Sequence, residues 1–488
     1  MLNYYRYNDY YYLKWPAAGR GEDIVAGKNP KKIMIIGLDC ATPQLVFDKF
    51  LPELPNIRKI MDSGLYGEFR STTPPITCPA WMCMTSGKDP GTLGIYGFRN
   101  RKDHSYDGLS IANSTAIKEP LLWDILGAAG RKCIMLGVPQ TYPPRPVNGA
   151  MVTCFLTPST ESEYTYPPEL KEEIARVVPE GYMLDVEGFR TDDKENLLVQ
   201  IHQMTERRFR LAKHFITNKE WDFFMMVEMG IDRLHHGFWK YCDEEHPKHE
   251  PGNAFRNAML KYYKRVDGFI GELVAAAGED TAVAVVSDHG AKKMIGGICF
   301  NEWLIKEGYL VLKSKPEGVA KFAKCEVDWE KTKAWGDGGY YGRLFINVEG
   351  REPHGTVPKD KYEDFRNELI NKLEAMTDEG GAPLGNRVFR PEDIYSGCRG
   401  IPPDLIVYFG DLFWRSVGSI GTGSIYTYEN DTGPDDANHA QHGIFLLKGP
   451  GVERRGKVDG MDILDFAPTV LKLLGVEIPG DMRGRPVI

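Results

Sequence analysis

Residues 32–39 read Lys-Ile-Met-Ile-Ile-Gly-Leu-Asp, an apolar run closed by an acid. The run shows no polar/apolar alternation, so it reads as a strand buried on both faces. Outward from it, similar runs recur at 133–138, 222–227, 281–287, 344–348, 405–409 and 444–447. Amphipathic stretches at 54–63, 120–129, 197–217 and 254–277 fall between several of them. Strands alternating with helices predict an α/β fold with a mainly parallel central sheet flanked by helices. In such sheets, sites form at the carboxyl ends of strands. Residues 141–200, rich in Pro, Thr and Glu, and residues 310–400, with Gly-Gly and mixed short patterns, read as cap insertions beside one catalytic domain over 31–488. Residues 1–30, with six tyrosines in the first twelve positions, read as an extension docked on the body of the protein.

The 488 residues suffice for a large core, and 42% hydrophobic with 26% charged residues excludes a disordered, collagen-like or coiled-coil chain. Lys+Arg total 60 against 68 Asp+Glu, a net charge of -8. No basic stretch suggests nucleic-acid binding, so an anionic substrate needs local help from metals or a few arginines. The 9 cysteines are odd in number and scattered. The first residues lack the apolar core of an export signal, and no apolar run is long enough to span a bilayer. Free thiols in a reducing, cytoplasmic setting are expected, with no membrane partner.

Chemistry concentrates at the strand ends. The first run ends in Asp39. The run 222–227 leads into Glu228 and then Asp232 and His236, four apart and therefore on one helical face. The run 281–287 leads into Asp288 and His289. The last run is preceded by His439 and His442. Thr77 stands between prolines just before helical sequence, where a turn is expected to expose it to solvent. Asp288 and His289 bind together only where the strand turns, and Gly290 permits that turn. Carboxylate plus imidazole donors suit Zn²⁺ or Mn²⁺ better than Ca²⁺. Taken singly, each feature has an ordinary explanation, such as a helix cap, a solvated helix face or a core hydroxyl. Their joint appearance at strand ends points to a metal centre.

The sequence resembles the alkaline phosphatase superfamily, in its branch of type I phosphodiesterases/nucleotide pyrophosphatases and phosphomutase-like proteins, and within it the predicted phosphohydrolase-or-phosphomutase group. The motifs are I-I-G-L-D-C-A-T-P at 35–43, S-T-T-P-P-I-T-C-P-A-W at 71–81 and S-G-K-D-P-G-T-L-G-I-Y-G-F at 86–98. They continue with D-R-L-H-H-G-F-W at 232–239, S-D-H-G-A at 287–291, G-I-F-L-L-K-G-P-G at 443–451 and D-I-L-D-F-A-P-T-V-L-K-L-L-G-V at 462–476.

The resemblance implies two divalent metal ions, Zn²⁺ first and Mn²⁺ as the alternative. Asp39, Asp288, His289 and the Thr77 oxygen would hold one; Asp232, His236 and a C-terminal histidine the other. Family spacing favours His439 over His442, and a polar loop through Asp435 and Asp436 is expected to carry it. The four-residue spacing from Asp232 favours His236 over His235. A cation-activated Thr77 would attack phosphorus and form a phosphothreonine that water hydrolyses. The nucleotide pyrophosphatases carry an Asn after the nucleophile; here Arg99, Asn100 or Arg101 falls in that stretch, and Asn100 is the candidate substrate contact. A sulfatase is excluded, because Cys78-Pro79-Ala80-Trp81 lacks the C-x-P-x-R maturation pattern. The implied activity is a metal-dependent phosphodiesterase acting on a small phosphorylated substrate, nucleotides included. The alternatives are a phosphomutase of the same superfamily, a phosphomonoesterase, and a binding protein with a decayed site.

Overall fold

The computed structural model describes residues 30–488, so the tyrosine-rich extension lies outside the described residues. The run opening at residue 32 forms the strand Lys32–Leu38, buried along nearly its whole length. It lies in the middle of a 10-stranded sheet. Its neighbours are Thr281–Val286 and Phe223–Glu228, both parallel to it. Beyond Phe223–Glu228 follow Cys133–Leu136 and Gly149–Val152, also parallel, and then Thr165–Tyr166, antiparallel. On the other side His442–Lys448 runs antiparallel between Thr281–Val286 and Leu65–Arg70. Helices flank the sheet in two sets. Pro55–Ser63, Lys194–Asn218, Gly230–Cys242 and Ala258–Ala277 pack on one another, as do Thr77–Ser86, Leu122–Ala128 and Phe466–Leu473. Among the described residues, no helix is long and apolar enough to cross a membrane.

Local chemistry explains these elements. The helix Lys194–Asn218 starts at Asp193, whose carboxylate accepts the Asn196 N–H, and it buries Leu197, Ile201, Met204 and Leu211 at helical spacing. The helix Thr77–Ser86 is buried on every side, consistent with its apolar Trp-Met-Cys-Met sequence. Gly37 is required where this helix crosses the central strand. A Cβ there would stand 2.5 Å from Trp81 and 3.0 Å from the Met226 carbonyl. Gly37→Ala is therefore expected to cost on the order of 1–3 kcal/mol by overpacking, seen as a lower urea midpoint; an unchanged midpoint would contradict this packing.

Two expectations change. The segment 141–200 does not stand apart as a cap, because its strands Gly149–Val152 and Thr165–Tyr166 extend the central sheet. The runs near 344–348 and 405–409 are not core-sheet strands. As Gly342–Ile346 and Leu405–Tyr408 they join Ala334–Asp337 and Arg387–Phe389 in a separate antiparallel sheet. With a three-stranded sheet of Trp414–Val417, Gly296–Cys299 and Tyr426–Thr427, this second unit has its own core around Phe300, Trp303, Leu344 and Leu369. It reaches well beyond 310–400 at both ends.

Candidate active site

Three adjacent parallel strands deliver acids to one edge of the sheet. Asp39 follows Lys32–Leu38, and Asp288 and His289 follow Thr281–Val286. Phe223–Glu228 leads into the helix Gly230–Cys242, which carries Asp232 in its first turn and His236 one turn later. His439 arrives from elsewhere. It lies in the strand Ala437–Ala440, paired antiparallel with Gly290–Lys293 so that it faces Ala291. The expected loop is thus a strand, and His439 is 1% exposed. His442 is exposed at the start of its strand. Thr77 is also buried, 2% exposed, as the first residue of its helix, contrary to the exposed turn expected. Gly290 serves by close approach: a Cβ there would lie 2.1 Å from the His442 carbonyl oxygen.

The ligand-type atoms form one contiguous cluster. Asp39, Asp288 and His289 lie within 4.8 Å of one another, and so do Asp232, His289 and His439. The His289 Nε2 stands 3.2 Å from Asp288 Oδ2, 3.8 Å from Asp39 Oδ1 and 3.3 Å from the Thr77 hydroxyl. His236 Nε2 is 3.3 Å and His439 Nε2 3.9 Å from Asp232 Oδ1. The surroundings fix how each group is presented. Nδ1–H donates to the Gly290 carbonyl in His289 (3.1 Å), to the Pro75 carbonyl in His439 (2.7 Å) and to Asp435 Oδ1 in His236 (2.7 Å). In His289 and His439 this leaves Nε2 with a lone pair facing inward, while His236 Nε2 faces Asp232. Trp81 Nε1–H donates to Asp39 Oδ2 (2.7 Å), the Cys40 N–H to Asp288 Oδ1 (3.2 Å), and Arg233 Nη1–H to Asp232 Oδ2 (2.6 Å).

Asp39 Oδ1, Asp288 Oδ2, His236 Nε2 and His439 Nε2 remain buried without a hydrogen-bond partner among the described residues. A buried carboxylate or imidazole left this way is costly unless a cation takes it. The donor set therefore fits divalent metal ions. The electrostatics agree. Burial, reinforced by Asp232, pushes Asp39 well above the usual carboxylate range, and burial with Asp39 does the same to Asp288. Burial opposes ionisation of Asp232, but His236 and Arg233 outweigh it and hold its carboxyl well below that range. Burial pushes His289 down to about 4 and His439 well below its ordinary value. For His236 burial is outweighed by Asp435 and Asp232, which raise it to about 9.

These shifts set a pH prediction. The folded value of His236 exceeds the ordinary 6.5, so its ion pairs stabilise the metal-free protein below pH 6.5, and that stability is lost as pH rises through about 9. A divalent cation at Nε2 would compete with that proton. Uptake of a divalent cation there at pH 7 is expected to expel at least one proton and to tighten as pH rises toward 9. Calorimetry in buffers of different ionisation enthalpy checks this, and heats independent of buffer would contradict it.

His235 points elsewhere, its Nε2 3.1 Å from the Tyr263 hydroxyl. Asn100 lies in the hairpin of Arg99–Arg101 and Leu109–Ile111, where its amide accepts the Tyr96 N–H and donates to the Gly97 carbonyl. It is not among the groups brought to the cluster, and Arg101 is engaged with Glu352. Sequence reasoning gave no site role to Trp81, Arg233, Asp435 or Tyr340. Trp81 was legible in principle, one helical turn after Thr77. Tyr340, from the second unit, lays its ring on His439 (4.1 Å between centroids) and His236 (4.9 Å), and nothing local announces that.

A mainly parallel sheet whose carboxyl edge gathers these acids, imidazoles and a hydroxyl is the arrangement of the alkaline phosphatase superfamily. Within it, the chain belongs to the type I phosphodiesterase / nucleotide pyrophosphatase family, matched over residues 33–443. It is a hydrolase of phosphoric ester bonds, of the phosphodiesterase type, in a family typically metal-dependent. Human ectonucleotide pyrophosphatase / phosphodiesterase 5 shares the fold at 14% identity and TM-score 0.52, over 93% of this chain and 97% of that one. An inactive variant of the murine protein, in complex with AMP, does so at 13% identity and TM-score 0.53, over 92% and 96%. Comparison with curated proteins returned no match.

Proposed function

We propose that the chain is a phosphodiesterase that works through a phosphothreonine on Thr77 at a centre for two divalent cations. The observation that carries this reading is the convergence of four unpartnered buried ligand atoms in a cluster whose shared His289 stands 3.3 Å from the Thr77 hydroxyl. Asp39, Asp288, His289 and Thr77 would hold one cation, and Asp232, His236 and His439 the other. Zn²⁺ suits these donors best, with Mn²⁺ as the alternative. When bound, such a pair lowers the pKa of a coordinated hydroxyl and neutralises charge on a phosphoryl group.

The chain's own residues do the rest. Thr77 is held at the start of a ten-residue helix whose first N–H groups lack intrahelical partners, a natural seat for phosphoryl oxygens. The Thr77 oxygen bonds to phosphorus as the bond from phosphorus to one ester oxygen breaks, and the proton given up by the hydroxyl ends on that oxygen, which leaves as an alcohol. Water then breaks the Thr77–phosphorus bond and releases the monoester. His289, stacked on His439 at 3.8 Å between centroids, packs against the attacking oxygen. The second unit acts as a cover, bringing Tyr340 over the imidazoles.

AMP in the murine neighbour makes nucleotide diesters the first substrate class to try. The test is a chromogenic nucleotide diester against the matching monoester, with zinc and with manganese, in ¹⁸O-labelled water. A faster diester with label in the released phosphoryl group is expected. A faster monoester overturns the diesterase reading, and unlabelled product returned as an isomer favours a phosphomutase.

A further inference from the structure

We infer that Asp435 is a positioning residue that yokes two arginine-bearing segments to the imidazole of His236; this rests on His236 being a cation ligand, as proposed above. The Asp435 side chain is 0% exposed, and donors from three separate parts of the chain meet on it. His236 Nδ1–H reaches Oδ1 at 2.7 Å from the helix Gly230–Cys242. Oδ2 accepts from Arg190 Nε at 3.0 Å, in the connection leading to Lys194–Asn218, and from Arg415 Nη1 at 3.3 Å, in the strand Trp414–Val417 of the second unit.

The division between the two oxygens matters. Two guanidinium groups grip Oδ2, so the carboxylate cannot rotate away, and Oδ1 stays aimed at the imidazole. A carboxylate on Nδ1–H holds the tautomer, fixes the plane of the ring and makes Nε2 a stronger donor. The same arginines reach the cover of the site. Arg190 Nη2 donates to the Tyr340 hydroxyl at 2.7 Å, and Arg415 lies over the Tyr340 ring at 5.4 Å. Tyr340 in turn rests on His236 and His439. One buried carboxylate thus links the 190 segment, the second unit and one cation site, so a displacement of Arg190 or Tyr340 is passed to His236. A purely structural ion cluster would hold these segments together without bearing on metal affinity.

The experiment is zinc titration of the metal-stripped full-length protein by calorimetry, with thermal unfolding of the metal-free forms recorded alongside. Asp435→Asn keeps the shape and an acceptor for Nδ1–H but loses the charge. It is expected to weaken one of the two zinc equivalents by about 10–100-fold and leave the other unchanged. Arg190→Gln alters a partly exposed side chain, so it is expected to fold, and to weaken the same equivalent by a smaller factor. Wild-type affinity for both equivalents in folded Asp435→Asn, or equal weakening of both, overturns the inference. If Asp435→Asn does not fold, Arg190→Gln decides alone, and two unchanged equivalents there overturn it. The titration needs no substrate, so it stands whether or not the phosphothreonine reading survives.

Discussion

Thr77→Ala is expected to leave a folded, metal-binding protein that no longer turns over. The rate should fall by about 10⁴-fold or more, the scale on which removal of an activated nucleophile is felt. The side chain is small, and alanine suits the first turn of a helix at least as well. Six carboxylate and imidazole groups remain to hold cations, so loss of rate should not be loss of the site. Thr77→Ser keeps the hydroxyl and should retain a measurable part of the activity. If Thr77→Ala runs within tenfold of the wild type, another group makes the bond to phosphorus and the proposed intermediate is wrong.

The second large effect is expected on the metals. Asp288 and Asp232 follow different strands of the sheet, and their carboxylates belong to different ligand groups of the cluster. On the proposed two-cation centre, Asp288→Asn and Asp232→Asn should each fold with about one cation instead of two, and each should lose activity by roughly 10³-fold or more, since both cations would share the charge of the reacting phosphoryl group. Elemental analysis of the purified variants checks the count. Two cations in both variants would sink the paired site. A variant that loses both cations would show that the sites are strongly coupled through His289, which lies within reach of both groups of ligands.

What could be read in advance follows from how far each element's causes lie from it in sequence. The central strands around 32–39 and 281–287 are covered on both faces, so burial writes itself as an unbroken apolar run. Asp232 and His236 were legible because helical spacing is a local rule. The strand Leu65–Arg70 escaped, since Gly67 and Glu68 interrupt a pattern that only its neighbours complete. Gly149–Val152 and Thr165–Tyr166 lay hidden in a Pro/Thr-rich stretch for the same reason. The strand under His439 exists because residues 437–440 pair with 290–293, far away in sequence, and a polar composition gives no sign of it. Thr77 looked exposed because prolines surround it. The segment before it is in fact packed in, with the Thr73 carbonyl accepting from Tyr395 at 2.5 Å and the Ser71 carbonyl from Gln441 at 2.7 Å. Asp435 could be seen as an acid near a histidine, but its partner is the other histidine, 199 residues away.

The position of the strand His442–Lys448 has a consequence for biosynthesis. It is inserted between Leu65–Arg70 and Thr281–Val286, so the middle of the sheet stays open until residues 442–448 have left the ribosome. Asp39 then waits for His439 across 400 positions, the difference of the two residue numbers. At about 5–20 residues per second, translation takes roughly 20–80 s to cover that span. From the emergence of Thr281–Val286 until His442–Lys448 arrives, the apolar edges of two neighbouring strands are unsatisfied, and chaperone engagement should concentrate there. On the proposed assignment, the ligands Asp39, Thr77, Asp288 and His289 are all made by residue 289, whereas Asp232 and His236 wait for His439, so a nascent chain stalled between those positions should retain at most one of the two cations.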